Sequence, residues 1–89
     1  MELNVVAKLR ILPADVDVDL RVIEEKLTPL VEAVGKLHTS EVKPIGFGLN
    51  MLEITVLMND SKGGIDDLED NIKKISGVGE VDVVDVNRL

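Results

Sequence analysis

The residues able to do covalent chemistry are few. Cysteine is absent, which removes thiolate nucleophiles, disulfides and cysteine metal sites together. The one histidine, His38, lies between Leu37 and Thr39 and reads as a solvated strand residue, with no second imidazole to share a metal and no partner for nucleophilic catalysis. Carboxylates are plentiful. Asp66, Asp67, Glu69 and Asp70 crowd one short stretch, where a helix N-terminus would favour their charge. Acids on one helix surface do not enclose an ion, so the stretch reads as a solvated capping face or as a docking patch for a basic partner. Gly63-Gly64 precedes these acids but lacks a full phosphate-binding glycine fingerprint, and it reads as a turn. Neither a catalytic residue nor a metal or cofactor is expected.

What remains is the chemistry of contact. Phe47 is the single aromatic residue, and Gly46 and Gly48 flank it. Glycines on both sides let the backbone present a ring at a loop tip, as an interface anchor requires; the other reading is a ring folded back over the core. Arg88 is penultimate, followed only by Leu89. Such a residue is often frayed, yet here it hangs from the end of a strand and is held near the body of the protein.

These groups need a scaffold, and 89 residues with 45% hydrophobic side chains suffice for one domain, 1–89, with a single core. The formal charge is −7, from 17 acidic and 10 basic residues. That balance disfavours direct binding to nucleic acid and suits encounter with a basic protein. The N-terminus lacks a basic region followed by an apolar one, and no apolar run approaches the ~20 residues of a membrane span. A cytoplasmic protein is expected.

Val5, Ala7, Leu9 and Ile11 alternate with Lys8 and Arg10 in a half-buried strand from about Leu3 to Leu12, stopped by Pro13. Asp15 and Asp17 offer acceptors for a helix N-terminus, with Asp19 in the first turn. Leu20, Ile23, Leu27, Leu30 and Val34 trace one apolar stripe that Pro29 interrupts, predicting a kinked or two-piece helix. Lys36 to Lys43, ending at Pro44, reads as an edge strand, and Leu49 to Met58 as a central one. Ile65, Leu68, Ile72 and Ile75 mark a second helix closed by Gly77. The last strand, Val78 to Val86, breaks alternation at Val83-Val84, which predicts a bulge.

The order strand, helix, strand, strand, helix, strand is a split βαβ pattern. It predicts an α+β, ferredoxin-like sandwich: a four-stranded antiparallel sheet with both helices on one face. Such a fold fixes no activity. RNA recognition on this scaffold needs aromatics on the central strands, and none is there. Metal carriage needs thiolates in the first loop, and Leu12-Pro13-Ala14-Asp15 has none.

Three segments bear a resemblance to a known family: Pro44-Ile45-Gly46-Phe47-Gly48-Leu49, then Asp60-Ser61-Lys62-Gly63-Gly64-Ile65-Asp66-Asp67-Leu68-Glu69, and Val81-Asp82-Val83 ahead of Asn87-Arg88-Leu89. Leu12-Pro13 and Asp17-Val18-Asp19-Leu20 fit as well. Together the chain resembles the translation elongation factor 1-beta family, archaeal members over the whole length and eukaryotic ones in their C-terminal catalytic domain. The resemblance implies a guanine-nucleotide exchange factor that releases GDP from elongation factor 1-alpha, a cofactor-free protein that makes and breaks no bonds and is a monomer when free. It also implies a partner-binding set: Phe47 with Gly46 and Gly48, docking in a pocket of the partner's second domain; Arg88 and Leu89, where eukaryotic relatives place a penultimate lysine near magnesium and phosphate; and Lys62 and Asp66. The competing expectations are a metabolite-binding regulatory module of amino-acid-sensing kind, dimeric and stabilised by an amino acid, and an interaction domain that docks through the acidic helix without exchange activity.

Overall fold

The computed structural model describes residues 3–59 and 64–88. Its elements run β1 (Val5–Pro13), α1 (Leu20–Glu32), β2 (Gly35–Gly46), β3 (Leu49–Met58), α2 (Ile65–Lys73) and β4 (Val78–Arg88). The strands form one sheet in the order β2-β3-β1-β4, and every pairing is antiparallel. This is the expected ferredoxin-like arrangement, with β2 at an edge and β3 inside.

Register separates the two faces. Ala7, Leu9 and Ile11 of β1 stand opposite Val56, Ile54 and Leu52 of β3, and all six are fully buried. With Val81 of β4 they form the floor on which Leu20, Ile23, Leu27 and Val31 of α1 and Leu68 and Ile72 of α2 pack. Both helices therefore cover one face. The residues between, Lys8 and Arg10 opposite Thr55 and Glu53, belong to the open face. Burying one Leu- or Ile-sized side chain contributes about 1.5–3 kcal/mol, so this layer accounts for most of the fold's driving force.

Four local expectations need correction. Helix α1 starts after Asp19, whose side chain accepts from the Arg21 N–H at 2.9 Å; Asp15 instead accepts from Val16 in a turn closed by Val18 N–H to the Asp15 carbonyl. That turn consumes the residues expected to cap the helix. Helix α1 also runs through Pro29 as one element, which removes the two-piece alternative. Thr28 Oγ1 donates to the Glu24 carbonyl at 2.7 Å, and the buried stripe on either side of the proline packs on one sheet, so tertiary contact outweighs the missing N–H. Strand β2 continues past Pro44 to Gly46, because an edge strand tolerates proline where its nitrogen faces outward. Finally, α2 ends at Lys73, before Ile75, which packs on the core from the following turn.

The bulge in β4 lies where the alternation breaks. Lys8 pairs with Asp85 and Leu9 with Val83, leaving Val84 as the extra residue.

Candidate functional site

The hairpin between β2 and β3 closes from Gly46 to Leu49, so its loop is Phe47-Gly48. Gly46, Phe47 and Gly48 all have positive φ, 100°, 55° and 76°. Positive φ at both loop residues is the signature of a type I′ turn, which matches the twist of the flanking strands and is ordinarily built from Asn, Asp or Gly. Phe47 is the only described non-glycine residue with positive φ, a conformation that costs an L-residue about 1–2 kcal/mol. Its ring is fully exposed, at 103% relative accessibility. The ring is not folded back over the core. A large apolar side chain in an unfavourable backbone region, gaining nothing inside its own fold, is the kind of strain that accompanies a binding role.

Arg88 lies at the other extreme of the sheet. It ends β4, opposite Val5, which in turn faces Met58 at the far end of β3. The hairpin tip and Arg88 thus occupy opposite ends and opposite edges. β3 alone has 10 residues, about 30 Å at the rise of a strand, and the molecule's longest dimension is 39 Å. Arg88 and Asn87 line an open cleft of about 380 Å³ with Val5, Met58, Asn59, Gly64, Ile65 and Val86. Asp66, exposed in the first turn of α2, therefore sits at the same end as Arg88. Gly46, Phe47 and Gly48 form one group and Arg88 and Asp66 another; Lys62 and Leu89 lie outside the described residues.

One residue escaped the sequence reading. Glu53, in the middle of β3, is the only charged residue among the described ones to be buried. It accepts from Lys43 Nζ at 2.9 Å and from Arg10 Nε at 3.4 Å, with Lys8 Nζ at 3.8 Å. The Lys43 hydrogen bond, helped by Arg10 and by the charges of Lys43 and Lys8, holds its carboxyl below the ordinary value against the opposing effect of burial. The same hydrogen bond and the Glu53 charge hold Lys43 above its own. The signal was present: Glu53 is the one charged residue in Leu49–Met58, a strand that must pair on both sides.

Among the described residues no group of three or more potential ligands could hold a metal ion, and no helix is long and apolar enough to cross a membrane. The described residues thus place an exposed aromatic side chain and the Arg88 guanidinium at opposite ends of one sheet.

The sequence profile of the EF-1 guanine nucleotide exchange domain matches residues 6–89. The chain belongs to that family. The exchange domain is 42% identical over 87 residues to elongation factor 1-beta of Methanosarcina barkeri, covering 97% of this chain and 98% of that one. It is 40% identical over the same length to the Methanosarcina mazei protein, with the same coverage, and 34% identical over 86 residues to that of Methanothermobacter thermautotrophicus, with 97% of each chain covered. Among solved structures, the ACT domain from GTP pyrophosphokinase of Chlorobium tepidum superposes with a TM-score of 0.63 at 18% identity, over 91% of the exchange domain and 99% of that chain. That likeness concerns the fold. The family is one of exchange factors, so the domain's work is guanine-nucleotide exchange, not the making or breaking of bonds.

Proposed function

We propose that this domain speeds GDP release from translation elongation factor 1-alpha by engaging it at two places, with Phe47 as the docking anchor and the Arg88-bearing terminus as the wedge. The observation that carries the reading is the fully exposed Phe47 held at positive φ, at the opposite end of the sheet from Arg88. Contacts about 30 Å apart, by the length of the intervening strand, fit a partner with two domains, one accepting the ring and the other holding nucleotide. Gly46 and Gly48 supply the turn that carries the ring, and Asp66 belongs to the contact at the Arg88 end; Lys62 and Leu89 join the partner-binding set on the resemblance of their motifs alone.

The wedge acts by competition. Magnesium and the phosphate-binding loop supply much of a GTPase's hold on its nucleotide, and an intruding guanidinium weakens both. Arginine keeps the charge of the lysine in eukaryotic relatives but presents a planar fork, so its approach to the phosphate region differs in geometry. Linkage demands reciprocity: lowering GDP affinity ~10⁴-fold requires that GDP weaken the factor by the same ratio, a coupling of about 5.5 kcal/mol. The acidic charge of −7 favours encounter with a basic surface. The exposed β4 edge carries Glu80, Asp82 and Asp85, and like charges on an edge oppose self-pairing, which supports a monomeric free form.

The test is rapid-mixing release of fluorescent GDP from the cognate elongation factor 1-alpha. The domain in excess accelerates release, and removal of Arg88-Leu89 slows the maximal rate more than it weakens docking. An unchanged release rate with the intact domain refutes the function; full-speed exchange by the truncated one refutes the wedge.

A further inference from the structure

Strands β2 and β3 outrun the rest of the sheet. The last β1–β3 pair is Ile11 with Leu52, whereas β2 and β3 go on pairing through Lys43–Met51 and Pro44–Asn50 to Gly46–Leu49. Phe47 therefore stands at the end of a two-stranded ribbon, residues 43–51, that leaves the edge of the β1–β3 pairing. Two-stranded ribbons twist more than sheets and are marginal without a third strand. Something at the root must set the direction in which this one projects.

Glu53 is at that root. It follows Leu52 in sequence and lies on the opposite, open face, across from Arg10 of β1 and Glu41 of β2. Its carboxylate takes one hydrogen bond from the ribbon, Lys43 Nζ at 2.9 Å, and one from the body of the sheet, Arg10 Nε at 3.4 Å. The charged groups facing it are Lys8 and Arg10 from β1 and Lys43 from β2, with Glu41 also 3.8 Å from the Lys43 ammonium. Of this network only Glu53 is buried, its three cationic partners being nearly half exposed; a buried charge rarely improves on an apolar filling for stability alone, and its best-attested use is to select one geometry among several. A leucine here would pack equally well over a range of ribbon angles; a carboxylate with a donor on each side does not.

We propose that Glu53 is a positioning residue for docking: by tying Lys43 to Arg10 across β3 it fixes the angle at which the ribbon presents Phe47. The inference rests on the reading of Phe47 as anchor, and its test keeps the two apart. The wild-type domain, Glu53→Gln, Phe47→Ala and the double variant are each titrated in the GDP-release assay. Glu53→Gln raises the half-saturating concentration about three- to tenfold, within the range of couplings inside one ion-pair network, and leaves the limiting release rate unchanged. In the Phe47→Ala background the same substitution adds nothing. Independently of activity, ¹⁵N relaxation of free Glu53→Gln shows order parameters falling across residues 43–51, toward the ~0.6 that marks flexible backbone, while the amides of β1 and β4 hold their values. Lys43→Met, which removes only the ribbon's donor, reproduces both effects and serves if Glu53→Gln does not fold. Unchanged order parameters overturn the proposal, as does an equal docking penalty with and without the Phe47 ring. A wild-type domain that leaves release unaltered overturns the functional reading instead, and relaxation still decides what Glu53 does to the ribbon.

Discussion

Replacing Phe47 by asparagine separates the two demands placed on that position. At φ 55° phenylalanine bears a backbone cost of about 1–2 kcal/mol, whereas asparagine is a preferred first residue of a type I′ turn. The ring is fully exposed, so its loss leaves no cavity. Phe47→Asn should stabilise the free domain by about 1 kcal/mol, which in a chain of this size raises Tm by about 4–8 °C. The same change deletes the proposed anchor. Burying a phenylalanine contributes about 1.5–3 kcal/mol, so docking should weaken roughly 10- to 150-fold. Alanine is the control: it also lacks the ring but keeps most of the left-handed penalty, so Phe47→Ala should dock as poorly as the asparagine variant without its gain in Tm. Thermal unfolding followed by circular dichroism and the half-saturating concentration for GDP release measure the two quantities. An asparagine variant that melts below wild type refutes the strain argument, and one that docks as tightly as wild type refutes the anchor.

Three further outcomes are expected. Asp19→Ala removes the N-cap of α1 and should cost about 1 kcal/mol in denaturant unfolding, while Asp17→Ala, outside the helix, stays within about 0.5 kcal/mol; equal losses would show that the cap is shared. A Cβ on Gly35 would lie 2.0 Å from the Leu57 carbonyl oxygen, so Gly35→Ala should lower stability by at least ~1–3 kcal/mol, and an unchanged midpoint would mean that the β2 edge moves freely. Because Glu53 is depressed below its ordinary 4.5, its contribution is complete above that pH and is lost as pH falls through the lower folded value. Lys43 is raised above 10.5, so its contribution is complete below that pH and is lost as pH rises through the higher folded value. Glu53→Gln should therefore flatten the acid limb of the stability profile; parallel acid limbs in the two proteins would count against the Lys43–Glu53 hydrogen bond.

The element order and helix-facing stripe could be read from the chain because each rests on period alone. Ala7, Leu9 and Ile11 alternate, Leu20, Ile23 and Leu27 recur at helical steps, and Val83-Val84 interrupts a period of two where the β4 bulge lies. Side chains of uniform chemistry on one face leave a strand few alternatives, since a slip by one residue would expose the whole set. Local competition was harder to read. Asp15, Asp17 and Asp19 are equivalent as cap chemistry, and only the turn closed by Val18 and Asp15 selects Asp19. Pro29 breaks an isolated helix, but the contacts on both sides of it carry this one through.

By itself the sequence determined a split βαβ chain, acidic, without cysteine, bearing one phenyl ring between two glycines and one guanidinium near its end. These are matters of residue type and short-range spacing, which a linear string records completely. Only the tertiary structure decided that ring and guanidinium stand at opposite ends of the sheet, that the ring faces solvent at a positive φ, and that Glu53 joins β1 to β2 across β3. Each depends on which residues become neighbours when strands pair over long sequence separations: Glu53 and Arg10 are 43 positions apart, and no periodicity in either strand encodes the register that brings them together.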